Sequence, residues 1–193
     1  MNKKLFSLIV VFAFFAKAFC GPFGIDFGMS LEQVRKVCKT APKNLNGNVY
    51  VISPPSTNNL FEAYAVHIHP TYGVYVIKAI SKEIDTNRFG TALKAHFENL
   101  VGNLEKIYGK PEVYDVLVPG SYWEKPDNFM YALLKDERIL MAIWEQDEKL
   151  KLPQNFAQLG VIAKAKSESI GYLILEYYST NKEKVDSEEK SVF

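Results

Sequence analysis

The sequence predicts an α+β domain in which an antiparallel sheet of about five to seven strands packs against one long helix, from Phe89 to Tyr108, and one or two short helices. Apolar residues recur at steps of three or four between Phe89 and Ile107, which is the spacing of one helical face. Other β-branched and aromatic runs are short and are separated by Gly, Pro, Asn and Ser, as strands joined by turns are. The long helix needs a sheet or a second helix to cover its apolar face, so one domain is expected to contain both kinds of element.

A short first helix is predicted to begin after Ser30. The Ser30 side chain suits the N-cap, and Gln33 stands three residues later, where a capping box places Glu or Gln. Met29 and Val34 occupy the two positions of a hydrophobic staple. These residues together indicate a well-defined helix start.

The clearest strand runs from Phe61 to His69, where alternation places Tyr64, Val66 and Ile68 on one face. Residues 41–48 are polar and contain Pro and Gly, so they are expected to form a loop. The other candidate strands are bounded by turn residues and run over Phe23 to Phe27, Val49 to Ile52, Val74 to Ile84, Glu112 to Val118, Ile139 to Trp144, Leu159 to Ala165 and Ile170 to Tyr178.

The ends of the long helix also carry signals. Asp85 or Thr86 is expected to cap its N-terminus. Gly109 is a residue type that commonly closes a helix, and Pro111 cannot continue one. A further short helix is predicted from Pro126 to Lys135.

The N-terminus has the three parts of a secretory signal peptide. Lys3 and Lys4 precede an apolar run from Leu5 to Ala16, and Ala16-Lys17-Ala18 suits the peptidase, so cleavage is expected after Ala18. As a helix the apolar run would span about 18 Å, which is too short for a hydrocarbon core of about 30 Å. The predicted organisation is a signal peptide at 1–18, a single domain at 19–179 and a disordered charged tail at 180–193, in a periplasmic or secreted protein with no transmembrane segment in its mature form.

Cys20 and Cys38 are the only cysteines, and an isolated pair in an oxidising compartment usually forms a disulfide. The alternative is a lipid anchor on Cys20, which follows the apolar run. Lys17 and Phe19 argue against the anchor, because a lipoprotein signal has an aliphatic and a small residue there. Free thiols remain a third possibility.

The charge balance argues against a nucleic-acid partner. Removal of residues 1–18 takes away three lysines and no acidic residue, so the formal charge of +1 becomes slightly negative. Sites that follow a phosphate backbone need basic grooves, whereas Lys and Arg are matched by Asp and Glu along this chain.

His67 and His69 are the candidate metal ligands, since two residues apart on a strand they face the same way. A site needs at least one more ligand. His96 is the only other histidine and falls inside the long helix. We therefore expect no metal and no other cofactor, and interpret the pair as solvent-facing residues of a half-buried hairpin.

Nucleophilic catalysis has little support in the sequence. No serine lies in a Gly-x-Ser-x-Gly elbow, and Ser30 is explained as a helix cap. Neighbouring carboxylates such as Asp136 and Glu137 fall in predicted loops or helix ends, where solvated charge is the simplest interpretation. The chain is expected not to be an enzyme.

Aromatic residues are concentrated between residues 114 and 144. Tyrosine and tryptophan are favoured where a surface buries apolar area and keeps a polar tip in water, as in interfaces and ligand clefts. Filling of the core is the alternative role for most of them. The candidate binding residues are Tyr122, Trp123, Tyr131 and Trp144.

One short pattern occurs twice. Phe27-Gly28-x-x-Leu31 is repeated as Phe89-Gly90-x-x-Leu93, each at a predicted helix start. The match does not extend further, so we interpret it as coincidence rather than as an internal duplication.

The segment Phe27-Gly28-Met29-Ser30-Leu31-Glu32-Gln33-Val34 resembles the Gly-Met-Ser/Thr-x-x-x-Val opening of small exported bacterial modules, including BamE-type envelope lipoproteins and β-lactamase-inhibitor-like repeats. It is also similar to the start of many exported bacterial proteins. The resemblance implies a non-catalytic binding module of the cell envelope.

The leading hypothesis is an exported binding protein that uses an aromatic-rich surface of its sheet to hold an envelope protein or a small ligand. The alternative is a small secreted hydrolase or metal-dependent enzyme that uses His67 and His69. Bound metal in the purified protein would distinguish the two.

Overall fold

Nine antiparallel strands form one sheet in the computed structural model, which describes residues 21–147 and 150–190. The α+β class is confirmed, and the sheet is larger than the sequence predicts. The strands are β1 (Thr40–Asn46), β2 (Val49–Ser53), β3 (Phe61–His69), β4 (Gly73–Ser81), β5 (Ile84–Asp85), β6 (Glu112–Leu117), β7 (Arg138–Glu145), β8 (Phe156–Ala165) and β9 (Ile170–Ser179). The α-helices are α1 (Leu31–Val37), α2 (Thr91–Tyr108), α3 (Phe129–Leu134) and α4 (Lys182–Lys190).

The sheet order reveals two similar units. The order is β1-β2-β3-β4-β9-β8-β7-β6, with the short β5 beside β9. The first unit is α1 followed by β1 to β4, and the second is α2 followed by β6 to β9, with α3 inserted after β6. The last strand of each unit pairs antiparallel with the other, and Lys78 lies opposite Glu176 in the register. The recurring Phe-Gly pattern therefore stands just before the helix that opens each of two units with a similar order of elements.

Gly28 and Gly90 occupy the same place in the two units, just before α1 and α2. Both have the positive φ angle that favours glycine, 85° and 71°. The N–H of Gly28 donates to the carbonyl oxygen of Val74 at 2.8 Å. The second glycine lies directly against the ring of Phe129, so a side chain has no room there.

The start of α1 follows the prediction. The Ser30 side-chain oxygen accepts a hydrogen bond from the N–H of Gln33 at 3.3 Å, and the Gln33 side chain accepts one from the N–H of Ser30 at 2.8 Å. This reciprocal pair is the predicted capping box. The helix ends at Val37.

The long helix begins two residues later than predicted. Thr86 Oγ1 accepts a hydrogen bond from the N–H of Ala92 at 3.0 Å, and Asn87 Oδ1 accepts one from Thr91. The end at Gly109 is confirmed. The spacing places Phe89 and Ile107 at the ends of the apolar stripe, but they are 47% and 70% exposed. Only the central residues of the stripe pack on the sheet, namely Leu93, Phe97, Leu100, Val101 and Leu104.

Three local predictions are wrong. The stretch Phe23 to Phe27 is not a strand: a 3-10 turn at Pro22–Gly24 is followed by irregular chain, because Phe23 and the next glycine both have positive φ. Residues 41–48 lie largely within β1 rather than in a loop. This edge strand tolerates Pro42 and exposes six of its seven residues, so it shows no apolar alternation.

The third correction concerns the tail that was predicted to be disordered. Residues 182–190 form α4. Its Val185 is fully buried against Tyr72, Tyr75, Val76 and Tyr178. The sequence did not predict this helix, because the segment is mostly charged and a single valine holds it against the sheet.

The main core lies between one face of the sheet and α1, α2 and α3. As predicted, Tyr64, Val66 and Ile68 point into it. Trp144 and Phe129 are its largest fully buried side chains. None of the described helices is long and apolar enough to cross a membrane. The predicted signal peptide at residues 1–18 lies outside the described residues.

Candidate binding surfaces

The sheet face opposite α1, α2 and α3, called the open face below, carries a continuous row of apolar side chains. The pairing of six neighbouring strands brings one residue from each into this row. They are Tyr114, Met141, Ile162, Ile174, Ile80 and Ala63, from β6, β7, β8, β9, β4 and β3. With about 4.8 Å between strands, the row is about 24 Å long. All six side chains remain half-buried or exposed.

Adjacent rows widen this apolar surface. Val116 and Ile139 form a cross-strand pair on one side and are 48% and 43% exposed. Ile143 extends the surface on the other side, opposite Gly160. The nine apolar residues together give a projected area of roughly 300 Å², the size of the largest apolar patch on a typical soluble protein, which is often functional. The flanking rows also carry charged residues, with Lys164 on the side of Ile139 and Glu112, Glu176 and Lys78 on the side of Ile143.

Charged groups lie within the open face at the junction of the two units. Lys78 Nζ and Glu176 Oε1 are 2.5 Å apart across β4 and β9. The Tyr178 hydroxyl donates a short hydrogen bond to the same carboxylate. Burial, followed by this bond to Glu176, raises the pKa of Tyr178 above its usual value. The open face is therefore apolar at its centre with a fixed ion pair at one border.

Helix α4 covers one end of the open face. Its Val185 fits among the side chains of β4 and β9, and the Glu188 carboxylate accepts a hydrogen bond from the Tyr72 hydroxyl. His69 Nε2 lies 3.5 Å from Glu188 Oε2. The apolar row lies four residues further along β4 and β9, past the Lys78–Glu176 pair, and no described element covers it.

Three of the four aromatic residues predicted to bind a partner lie together, but not on the sheet. Trp123 and Tyr131 pack with ring centroids 4.3 Å apart, in the connection between β6 and β7. They line a small cleft of about 210 Å³ with Arg88, Asp127 and Glu168. Tyr122 is beside them and 92% exposed.

The fourth, Trp144, does not belong to any surface. It lies on the helix-covered side of β7, is fully buried, and donates a hydrogen bond from Nε1 to the Gly109 carbonyl oxygen at 2.6 Å. Its alternative role, filling the core, is the one observed. The alternation of side chains along β7 places Trp144 in the core, because neighbouring residues such as Ile143 and Trp144 point to opposite faces of the sheet.

The two candidate metal ligands make aromatic contacts. His67 meets the ring of Tyr75 edge-on at 5.8 Å, and His69 stacks on Tyr72 at 5.0 Å. His96 lies on α2, on the other side of the sheet. Within residues 21–147 and 150–190, no group of three or more His, Cys, Asp or Glu side chains is placed to hold a metal ion.

Cys38 follows the last turn of α1, is half-buried and forms no disulfide with any residue that the structure describes. Burial raises its pKa, so the thiolate that would react is disfavoured. Cys20 lies outside the described residues. The disulfide and the lipid anchor stay predictions.

Sequence reasoning did not find the open-face row, although its strands were predicted. The signal was present: β7, β8 and β9 are apolar at both alternating positions, unlike strands of a sheet with one solvated polar face. The strand predictions left the two faces of these strands undistinguished, so Met141, Ile162 and Ile174 were not grouped. A scan against protein-family models gives no match, and searches of curated proteins and of solved structures give none either, so the functional assignment rests on this geometry.

Proposed function

We propose that this chain is an exported, non-catalytic binding protein of the bacterial cell envelope, and that it docks an apolar surface of a partner protein on its open face. The observation that carries the proposal is the apolar row across six strands, which no described element covers. An exposed apolar patch of this size is often a functional interaction site.

The composition of the face supports a protein partner. Interface centres are depleted in charge and enriched in aromatic residues and methionine, and the row combines Tyr114 and Met141 with isoleucines. The Lys78–Glu176 pair supplies a polar border that can set the orientation of the partner. The resemblance of the first helix start to that of envelope binding modules also supports a binding role.

The enzymatic alternative has less support. His67 and His69 each face a different aromatic ring, and His69 also faces Glu188 of α4. Their side chains thus serve the packing of a hairpin and a helix.

Site-specific photo-crosslinking in cells tests the proposal. A photoreactive phenylalanine analogue at Met141 should capture one envelope protein, whereas the analogue at Leu45, an exposed apolar residue of β1, should not. The paired substitution Val116→Lys with Ile139→Glu should abolish the adduct, because it makes the neighbouring row charged while keeping a favourable cross-strand pair. An adduct that persists in this variant, or that forms equally at Leu45, would contradict the proposal.

A further inference from the structure

A groove runs along one flank of α2, on the opposite side of the sheet from the open face. It has a volume of about 340 Å³, within the range of small-ligand sites. Leu100 and Leu104 of α2 and Tyr177 of β9 form an apolar floor. Phe23 and Leu60 line the facing wall, which belongs to the N-terminal turn and the approach to β3.

Side-chain amides stand along the helical rim of the groove. Asn99 and Asn103 are four residues apart, so they are separated by about 6 Å along the helix axis. Among the described residues the Asn99 amide has no hydrogen-bond partner and is exposed. Asn103 Oδ1 accepts only a long hydrogen bond from Lys106, at 3.4 Å. Both amides are therefore able to bind a ligand.

The spacing of the two amides matches an extended peptide. Every second residue of an extended chain faces the same way, and such residues are about 6.6 Å apart. Each amide carries one acceptor and a donor group, as the peptide unit does. The helical stretch from His96 to Ile107 is about 16 Å long, the length of about five extended residues.

The absence of charged residues from the described lining indicates the class of ligand more closely. No Lys, Arg, Asp or Glu contributes to the described lining, whose polar side chains besides the two amides are Asn58, His96 and Tyr177. A charged ligand would therefore lose hydration without a carboxylate, ammonium or guanidinium group beside it. A plain acyl chain would fit the floor but leave the rim amides unused. An uncharged peptide with apolar side chains uses both features.

We infer that this groove binds an extended, uncharged peptide segment of about five residues, with apolar side chains on the floor and main-chain groups on Asn99 and Asn103. Alternate side chains would point to the floor, and the intervening ones to solvent. The site does not depend on the open face, because the sheet separates the two.

The probe is the blocked pentapeptide acetyl-Val-Thr-Val-Thr-Val-amide, titrated into the 15N-labelled full chain. The side-chain NH₂ resonances of Asn99 and Asn103 should shift together and saturate. The double substitution Asn99→Leu with Asn103→Leu removes these two resonances, so the affinities of wild type and variants are compared on the backbone amides of α2. The substitution should weaken binding roughly 10- to 30-fold, the effect of losing two hydrogen bonds. Leucine is a better helix former than asparagine, so α2 should be retained.

Glu98→Leu is the matched control, because it adds a leucine to the flank of α2 away from the groove. Glu98 lies one helical turn after Lys94, whose ammonium group lies over the ring of Phe129. It should leave peptide affinity within about twofold. The Val116→Lys/Ile139→Glu variant should also keep peptide binding, which separates this site from the proposed docking face. The inference is overturned if the peptide causes no saturable shift at millimolar concentration, if the double variant binds as tightly as wild type, or if dodecanoate or cellopentaose shifts these resonances and the peptide does not.

Discussion

Replacing Gly90 with alanine should destabilise the protein much more than the same replacement at Gly28. Both glycines have positive φ, which costs a residue with a Cβ roughly 1–2 kcal/mol. They differ in their surroundings. A Cβ on Gly28 would meet nothing within 4 Å, whereas one on Gly90 would lie 2.4 Å from Cδ1 of Phe129. Phe129 is buried under Lys94 and Arg138 and cannot move aside without disturbing the core.

The overlap at Gly90 should add about 1–3 kcal/mol of overpacking strain to the backbone cost. Urea unfolding followed by circular dichroism should therefore give a loss of about 1–2 kcal/mol for Gly28→Ala and about 2–5 kcal/mol for Gly90→Ala. Phe129→Leu in the Gly90→Ala background should cost less than the sum of the single changes, because it removes the ring that the new methyl group meets. Equal losses at the two glycines, or additive behaviour with Phe129→Leu, would refute the packing explanation.

Three further outcomes are expected. Trp144→Phe should lower the free energy of unfolding by about 2–3 kcal/mol, because it removes the hydrogen bond to Gly109 and leaves a void. Trp123→Phe should lower the free energy of unfolding by less than about 1 kcal/mol, and thermal unfolding of both variants checks the difference. Val185→Asp should release α4, so that amides 182–190 lose protection in hydrogen exchange, whereas Ser187→Asp on its exposed side should not change them. The raised pKa values of Tyr177 and Tyr178 favour the neutral phenols in the folded chain, so their contribution to stability is complete below about pH 10 and declines above it. The free energy of unfolding, measured from pH 8 to 11, should decline less steeply with pH in Tyr177→Phe than in the wild type.

The elements with strong local signals could be predicted from the sequence. The capping box at Ser30 and the alternation of β3 depend on contacts between near neighbours, and both appear as expected. β1 could not be predicted, because it pairs along one edge only and buries almost nothing. α4 was missed for a similar reason, since one valine against distant strands holds it in place.

The candidate site was less accessible to sequence reasoning than the fold. Tyr122, Trp123 and Tyr131 could be grouped because they are close in the chain, and the structure places them in one connection. The open-face row joins residues from Ala63 to Ile174, and only the strand order brings them together. Short strands with apolar residues on both sides do not reveal which side the helices cover.

The antiparallel pairing of β4 with β9 joins the two halves of the sheet, β1 to β4 and β6 to β9, so each half supplies the strand that the other pairs with. A chain cut in the connection at residues 86–90 would leave two fragments, each with one long unpaired edge and half of the core exposed. Neither fragment can satisfy that edge alone, but together they restore the β4–β9 ladder. The protein is therefore suited to fragment complementation, in which reporter signals appear only when the two halves meet. The same property carries a hazard, because at high concentration two intact chains could exchange halves and form a swapped dimer.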